Sequence, residues 1–446
     1  MARLFGTDGI RGVANVDLKP ALAYALGRAT AHLLASGRGP IVLGQDTRRS
    51  GDMLAAAIVA GAASMGVDVY RAGVLPTPAL AHLAGTGEFA AGIVVSASHN
   101  PADDNGLKVL DHRGIKLDDA LEDELDTLIW RAEELPSPTN AGIGREVDAR
   151  DLVERYVAHR VELARRSRND LQVVVDCANG SGCPVAERII GASGARVSTI
   201  HDNPDGVNIN LDCGATHPES LAAHVAARGA DVGFALDGDA DRCVAVDERG
   251  RVVDGDRLIG LIALDRLEHR ALAGSTVVVS VLSNGGLVSA IQRVGGQIVR
   301  TPVGDKYILD AMLVSGAGLG GEKSGHVIIA EHANAGDGIV TALEVLGILA
   351  RCGRPLSELA DRIVLYPQQQ RSVRVRHKDQ WDADPAITAA IRAAEAELAD
   401  GGRVLVRPSG TEPVLRIMVE GEHEEIVTTL ADRLAALVAD RLNQPA

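Results

Sequence analysis

A strand–helix–strand pattern that occurs three times is the feature that most constrains the fold of this chain. Each copy has a short apolar strand, a polar turn, a helix that ends near glycine, and a second short strand. The copies span residues 41–70, 173–200 and 277–300. Glycine is a common helix stop, and strand–helix–strand units build parallel sheets. Three copies predict three similar α/β domains in tandem.

After each copy, a further short strand leads into a polar loop. The three loops carry different chemistry: Ser96–Pro101, Asp237–Arg242 and Gly321–His326. Ligand sites in α/β sheets form beyond the carboxyl ends of the strands, so equivalent loops of three domains can converge on one ligand. We therefore expect mixed sheets arranged around a central cleft.

Breaks in this pattern mark the domain boundaries and a fourth domain of a different kind. The tail of the chain has the order strand, helix, strand, strand, helix, which predicts a smaller C-terminal α+β cap. Phe5–Gly12 is too rich in glycine for a helix, and we expect it to be a loop. The predicted domains are residues 1–150, 151–253, 254–367 and 368–446.

Charge and composition exclude several classes of protein. A formal net charge of −15 argues against nucleic acid as a partner. No apolar run approaches the roughly 20 residues that a membrane-spanning helix needs. The five cysteines are odd in number and form no Cys-x-x-Cys pair, which is typical of reduced thiols. We expect a cytoplasmic protein that binds a small molecule.

Carboxylates alternate along the second loop, at Asp237, Asp239 and Asp241. Alternate side chains of an extended backbone share one side, so the three can bind one hard cation. An EF-hand is one alternative, but its sixth position requires glycine and here holds Arg242. A solvated acidic turn is another, although three carboxylates directly after an apolar strand are costly without a cation. One Mg²⁺ per subunit is the predicted cofactor.

The first loop places hydroxyls beside other polar groups and a lysine. Ser96, Ser98 and His99 follow a buried strand, and Lys108 returns ten residues after Ser98. A hydroxyl at a strand end can carry a phosphoryl or acyl group in such surroundings. An ordinary turn uses the same residue types, and the loop alone does not distinguish Ser96 from Ser98.

Charged and polar loops in the third domain favour sugar binding. Glu322 and Ser324 can hydrogen-bond sugar hydroxyls, and His326 can serve as a general acid or base. Upstream, Asp305 and Lys306 lie in a second charged loop that contains glycine. A plain surface loop with a structural histidine is the simpler alternative.

A turn in the cap favours phosphate binding. Arg407–Pro413 lies between two predicted strands and combines a guanidinium, two hydroxyls and the backbone N–H of Gly410. These groups suit a phosphate, although a hairpin turn can also contain proline and glycine.

Taken together, these loops resemble those of the α-D-phosphohexomutases over essentially the whole chain. The shared motifs are Ser-Ala-Ser-His-Asn-Pro, Asp-Gly-Asp-Ala-Asp-Arg, Gly-Glu-x-Ser-Gly-His and a C-terminal Arg-x-Ser-x-Thr loop, in this order. Phe5–Gly12, Cys213–Pro218 and Arg407–Pro413 are similar to the corresponding motifs of the bacterial phosphoglucosamine mutase family. Lys323 departs from the neutral residue expected in the sugar loop.

The resemblance implies a role for each loop. Ser98 would be carried as phosphoserine, and with Asp237, Asp239 and Asp241 it would bind Mg²⁺. Lys108 and His326 would be the proton-transfer groups. The other residues lining the transfer site would be Arg11, His99 and Arg242. The substrate would be bound by Glu322, Ser324, Asp305 and Lys306. The non-reacting phosphate would be bound by Arg407, Ser409, Gly410 and Thr411.

The implied reaction is the isomerisation of glucosamine 6-phosphate and glucosamine 1-phosphate through a 1,6-bisphosphate. It would supply the synthesis of UDP-N-acetylglucosamine and peptidoglycan. Glucosamine or glucose 1,6-bisphosphate, or a kinase, would prime Ser98, and the resemblance is compatible with a homodimer. Three alternatives stay open: a phosphomannomutase/phosphoglucomutase with the same mechanism, a Mg²⁺ phosphatase with Asp237 as nucleophile, and a sugar-phosphate sensor without catalysis.

Overall fold

The computed structural model describes residues 3–6, 8–398, 402–408 and 413–443. Ser409, Gly410 and Thr411 of the predicted phosphate loop lie outside the described residues. The chain divides into two compact units. The first comprises Met1–Leu282 and Val294–Arg362, and the second comprises Ser283–Arg293 and Ile363–Ala446.

The first unit contains a mixed sheet that, in the described residues, has the strand order β1-β5-β4-β2-β3-β6. Strands β2, β3 and β4 run parallel, and β5 closes this group antiparallel to β4. The strands are β1 (Ile10–Val13), β2 (Ile41–Gln45), β3 (Val69–Val74), β4 (Ala91–Val95), β5 (Asp104–Asp111) and β6 (Glu146–Asp148).

Two further sheets of the first unit repeat the order of the first. The order β5-β4-β2-β3 recurs as β10-β9-β7-β8 and as β15-β14-β12-β13. The strands are β7 (Gln172–Asp176), β8 (Arg196–Ile200), β9 (Val232–Leu236), β10 (Cys243–Asp247), β11 (Val252–Val253), β12 (Thr276–Ser280), β13 (Gln297–Thr301), β14 (Leu319–Gly321) and β15 (Val327–Ile329). The three predicted α/β repeats with mixed sheets are confirmed.

Helices connect these strands and cover the sheets. Helix α11 is almost entirely buried, as expected for its run of Ile, Val and Leu. The helices of the first unit are α1 (Pro20–Thr30, extended by a π turn over Ala31–Ala35), α2 (Gly51–Ala63), α3 (Thr77–Ala84), α4 (Asp119–Trp130), α5 (Val153–Ala164), α6 (Ala186–Gly191), α7 (Glu219–Arg228), α8 (Gly255–Glu268), α10 (Asp305–Ser315), α11 (Gly338–Cys352) and α12 (Leu356–Ala360).

The prediction that Phe5–Gly12 is a loop is wrong for its last residues. Ile10–Val13 forms β1, which pairs antiparallel with β5. Arg11 lies opposite Gly106, and Gly12 lies opposite Asn105. This pairing gives backbone groups of a glycine-rich segment their hydrogen bonds. The partner strand is distant in the sequence, so local composition does not reveal it.

The second unit is the predicted α+β cap. Its antiparallel sheet has the order β16-β18-β17, formed by β16 (Gln368–Arg374), β17 (Arg403–Pro408) and β18 (Val414–Glu420). Helices α13 (Pro385–Leu398) and α14 (Glu424–Leu442) accompany it. Helix α9 (Gly285–Arg293), which belongs to the third repeat in sequence, also lies in this unit. There Gly285 N–H donates to Glu420, and Asn284 donates to the Tyr366 carbonyl.

Among the described residues, no helix combines the length and apolar character needed to cross a membrane.

A buried ion pair fixes the start of α11 in the first unit. Arg160 Nε donates to Asp337 Oδ2 at 3.0 Å, and the Tyr156 hydroxyl donates to the same oxygen at 2.9 Å. The other oxygen accepts the N–H groups of Ile339 and Val340 as a helix cap.

We predict that Asp337→Ala lowers the free energy of unfolding of the first unit by about 3–5 kcal/mol, because Arg160 keeps a buried, unpaired charge. Urea denaturation followed by circular dichroism measures the change. Glu162→Ala is the control, because its pair with Arg165 is exposed and contributes about 1 kcal/mol or less. A loss for Asp337→Ala no larger than the control would contradict the prediction.

Candidate active site

The three polar loops occupy the same place in the three repeated sheets. Ser98 lies between β4 and β5, the aspartates lie between β9 and β10, and Glu322–His326 lies between β14 and β15. The loops contact one another through backbone atoms. Cys243 N–H donates to the Gly325 carbonyl at 3.0 Å, and a Cβ on Gly238 would lie 2.5 Å from the Ser98 carbonyl oxygen. Only glycine permits the second approach.

Ser98 sits in a strained and tightly held loop. Its φ of 52° is left-handed, which is uncommon outside glycine and concentrates at functional sites. Its carbonyl accepts from Arg48 and from Asn210, each at 2.9 Å. Its N–H donates to Ser96 Oγ, which in turn donates to Asp46. Ser96 therefore supports the loop, and Ser98 presents the available hydroxyl.

The Ser98 hydroxyl points at the aspartate loop. Ser98 Oγ donates to Asp237 Oδ2 at 2.5 Å. All three aspartates are buried, with one ligand oxygen of each within 4.8 Å of the others. Burial and the charges of Asp241 and Asp239 raise the pKa of Asp237 well above its usual value. Three crowded carboxylates therefore need a positive charge at their centre.

The aspartate loop fits a divalent cation. Among the described residues, Asp239 Oδ1 and Asp241 Oδ1 are buried and have no hydrogen-bond partner. Buried polar atoms are rarely left unpaired, and carboxylate oxygens are the ligands that Mg²⁺ prefers. Asp237, Asp239 and Asp241 could hold the ion, with Ser98 Oγ beside it.

Lys108 is the buried cation nearest to this loop. Its Nζ lies 2.9 Å from Asp239 Oδ2 and 3.4 Å from Asp8. Burial alone lowers the pKa of Lys108, but Asp239 and Asp8 outweigh it and raise the pKa above its usual value. Lys108 is therefore charged at neutral pH.

Two arginines and a histidine lie near the Ser98 loop and the aspartates. Arg242 Nε lies 4.0 Å from Asp237 and 3.9 Å from Asp241, and Arg11 donates to the Asn100 side chain at 3.1 Å. His99 Nδ1 is 3.3 Å from Ser98 Oγ. Burial, reinforced by Arg242 and Arg11, lowers the pKa of His99 to about 4. His99 is therefore neutral beside Ser98.

The third loop adds His326, which contacts the last of the three aspartates. His326 Nδ1 lies 3.5 Å from Asp241, and its Nε2 accepts the Gly336 N–H. Ser324 Oγ is buried and lacks a hydrogen-bond partner in the part of the chain that the structure describes. Glu322 accepts from the Gly304 N–H, whereas the Lys323 side chain is exposed.

Asp305 and Lys306 lie at the start of α10 and are paired with residues of the first repeat. Asp305 Oδ2 is 2.6 Å from Lys116 Nζ and 3.8 Å from His326 Nε2. Lys306 forms ion pairs with Asp119 and Glu122 and is 7% exposed. The structure thus brings Asp305 to the site and directs the Lys306 amine towards α4.

The site also contains residues that the sequence reasoning missed. Asp46 and Arg48 form a buried ion pair at 2.9 Å that supports the Ser98 loop. Thr77 donates to Asp239 at 2.6 Å, and Asp8 contacts Lys108. The sequence did contain a signal for Asp46 and Arg48, because they form the polar turn after β2, in the same sheet as the strand that precedes Ser98. No sequence signal pointed to Asn210.

Four regions of the chain match domain families of one superfamily. Residues 2–136, 154–250 and 254–366 match those described as Phosphoglucomutase/phosphomannomutase, alpha/beta/alpha domain I, II and III. Residues 372–437 match the Phosphoglucomutase/phosphomannomutase, C-terminal domain. A phosphoglucosamine mutase of Moorella thermoacetica is 52% identical over 436 residues, which cover 97% of this chain and 98% of the relative. The chain belongs to the phosphoglucosamine mutase family.

Other phosphohexomutases support the same family assignment. The phosphoglucosamine mutase of Desulforudis audaxviator is 48% identical, with 99% of this chain and 98% of the relative covered. A solved phosphoglucomutase/phosphomannomutase family protein from Burkholderia thailandensis has a TM-score of 0.83 at 27% identity, with 99% and 98% of the two chains covered. The predicted superfamily and isomerase class are confirmed.

We predict that Mg²⁺ raises the thermal midpoint of the wild-type protein, because a cation relieves the repulsion among the three aspartates. At a concentration about 100 times the Kd, the stabilisation is about 2.7 kcal/mol. In Asp237→Asn without divalent ions the midpoint should exceed that of the wild type, and Mg²⁺ should raise it less. Differential scanning calorimetry measures both shifts, with Asp231→Asn as a control outside the site. Equal Mg²⁺ stabilisation of both aspartate variants would contradict the prediction.

Proposed function

We propose that this protein interconverts glucosamine 6-phosphate and glucosamine 1-phosphate, with Ser98 as the carrier of the transferred phosphoryl group. The observation that carries the proposal is the Ser98 hydroxyl, held 2.5 Å from Asp237 in a strained loop beside three carboxylates and Lys108. Membership in the phosphoglucosamine mutase family supports the sugar.

The proposed reaction has two transfers. In the first, the bond between phosphorus and Ser98 Oγ breaks, and phosphorus bonds to O1 of glucosamine 6-phosphate. The resulting 1,6-bisphosphate turns around in the site. In the second, the bond between phosphorus and O6 breaks, and phosphorus returns to Ser98 Oγ. Glucosamine or glucose 1,6-bisphosphate, or a kinase, supplies the first phosphoryl group.

The residues around Ser98 stabilise and position the group in transfer. Phosphoryl transfer depends on positioning and charge neutralisation more than on covalent help. Lys108, Arg11 and Arg242 supply fixed positive charge, and Arg48 with Asn210 fixes the loop. Mg²⁺, when bound by the aspartates, supplies further charge neutralisation at the phosphoryl oxygens.

Proton transfer and sugar recognition are assigned to the remaining groups. We propose that Lys108 and His326 exchange protons with the reacting hydroxyls. Glu322 and Ser324 bind the sugar, a role supported by the Ser324 hydroxyl, which has no hydrogen-bond partner among the described residues. Asp305 and Lys306 also bind the substrate, and Asp305 helps to orient His326, whose Nε2 lies 3.8 Å from Asp305 Oδ2. Arg407, with Ser409, Gly410 and Thr411, holds the phosphate that is not reacting.

We further propose the cytoplasm as the location, a homodimer as the assembly, and the synthesis of UDP-N-acetylglucosamine and peptidoglycan as the use of the product. A phosphomannomutase/phosphoglucomutase activity is the second candidate, because Lys323 replaces the neutral residue expected in the sugar loop.

We predict that incubation with ³²P-labelled glucose 1,6-bisphosphate labels Ser98 as an acid-stable phosphoester. Ser98→Ala should lose the label and at least about a thousandfold in kcat, because it removes the atom that accepts the group. Peptide mapping and a coupled assay measure these effects. Ser315→Ala changes an exposed serine at the end of α10, and this variant should keep both the label and the wild-type kcat.

An acid-labile label on Asp237, with full activity of Ser98→Ala, would instead establish the phosphatase alternative. Ligand binding without turnover would establish the sensor.

For substrate preference, we predict that kcat/KM for glucosamine 6-phosphate exceeds that for glucose and mannose phosphates by about a hundredfold. This ratio corresponds to about 2.7 kcal/mol in the transition state. Steady-state assays with Mg²⁺ and a bisphosphate primer measure it. A preference for a neutral hexose phosphate would contradict the assignment, and comparison with Lys323→Gln would then show whether that residue causes it.

A further inference from the structure

A cluster of oxygen, nitrogen and sulfur donors lies in the second repeat, apart from the aspartate loop. It consists of Asp176 at the end of β7, His201 directly after β8, and Cys213. One ligand atom of each lies within 4.8 Å of the others. Asp176 and Cys213 are fully buried, and His201 is partly buried. The proposed phosphoryl transfer uses none of these side chains.

The Asp176 carboxylate is held in place beside the His201 ring. The backbone N–H groups of Ala178 and Gly214 hold the two Asp176 oxygens, each at 2.9 Å. His201 Nδ1 lies 3.1 Å from Asp176 Oδ2. That nitrogen is buried, and its contact with the Asp176 carboxylate raises the pKa of His201 above its usual value. Outer hydrogen bonds of this kind commonly orient metal-binding carboxylates.

Strained backbone surrounds the cluster. Five non-glycine residues of these loops have left-handed φ values: Ala178, Asn179, His201, Asn210 and Asp212. Such residues cost roughly 1–3 kcal/mol each and concentrate at ligand sites and clamps. The loops are therefore held in a conformation that their local sequence does not favour.

We propose that Asp176, His201 and Cys213 form a second metal site, which binds a borderline transition-metal cation of the Zn²⁺ type. The mixed donor set suits such ions, whereas Mg²⁺ prefers oxygen ligands alone. Ligand atoms of tetrahedral zinc lie about 3.4–3.6 Å apart, so side-chain shifts of about 1 Å close the site. On binding, metal–sulfur and metal–nitrogen bonds form, and the Cys213 thiol and a protonated His201 imidazole release their protons to solvent.

A metal in this site would stabilise the loop that holds Ser98. Asn179 N–H donates to the His201 carbonyl, and Asn210 N–H donates to the Ala178 carbonyl at 2.9 Å. Asn210 Nδ2 then donates to the Ser98 carbonyl at 2.9 Å. The cluster is thus linked to the candidate transfer site by a short chain of hydrogen bonds.

Cobalt spectroscopy tests the proposal on the full-length protein. After chelation the protein is returned to millimolar Mg²⁺, which occupies the all-oxygen site, and is titrated with Co²⁺. We expect near-ultraviolet sulfur-to-cobalt charge transfer and visible tetrahedral bands that saturate at about one equivalent. Zn²⁺ should abolish these bands by displacing Co²⁺. Absence of the charge-transfer band, or bands that Zn²⁺ does not remove, would overturn the proposal.

Three variants identify the ligands. Cys213→Ser should lose the charge-transfer band, and His201→Gln, which keeps the thiol, should weaken Co²⁺ binding at least about tenfold. Cys352→Ser removes an exposed thiol at the end of α11 and should leave the titration unchanged. If circular dichroism shows that Cys213→Ser does not fold, the Co²⁺ affinity of His201→Gln tests the ligand assignment instead. Wild-type affinity in His201→Gln, or loss of the band in Cys352→Ser, would overturn the assignment.

Discussion

Repulsion among three buried carboxylates is the constraint on which the rest of the site depends. Asp237, Asp239 and Asp241 are close enough to share one ion, and their burial removes the water that would otherwise screen them. The surroundings compensate with Lys108 and Arg242. Among the described residues, Asp239 Oδ1 and Asp241 Oδ1 have no hydrogen-bond partner, so the arrangement favours a bound cation. The same three carboxylates therefore affect both the stability of the loop and its capacity to bind a cation.

The repeated sheets explain how three distant segments reach this point. Each sheet places a loop between its third parallel strand and the antiparallel strand that follows it in sequence. One scaffold therefore presents a hydroxyl, a group of carboxylates and the Gly321–His326 loop from equivalent positions. Four strands keep the same order in all three sheets, whereas the additional edge strands and the loops differ.

Much of the fold follows from short-range sequence signals. The strand–helix–strand repeats and the α+β order of the cap are encoded locally, by apolar runs and by glycine after helices. The position of the aspartates directly after an apolar strand is a local signal of the same kind, and it predicts a candidate cation site. The structural features that local signals did not reveal depend on contacts with residues distant in the sequence. Strand β1 exists through pairing with β5, α9 packs with the C-terminal unit, and Asn210 reaches the Ser98 loop across many residues.

The backbone link between the aspartate loop and Gly321–His326 limits how this enzyme can change its substrate. Cys243 and Gly325 are joined by a main-chain hydrogen bond, and Gly255 N–H donates to the Lys323 carbonyl. An inserted or deleted residue in Gly321–His326 would also displace the aspartates beside it. A substitution that keeps the length of this loop, such as replacement of the exposed Lys323 side chain, would leave both backbone hydrogen bonds in place.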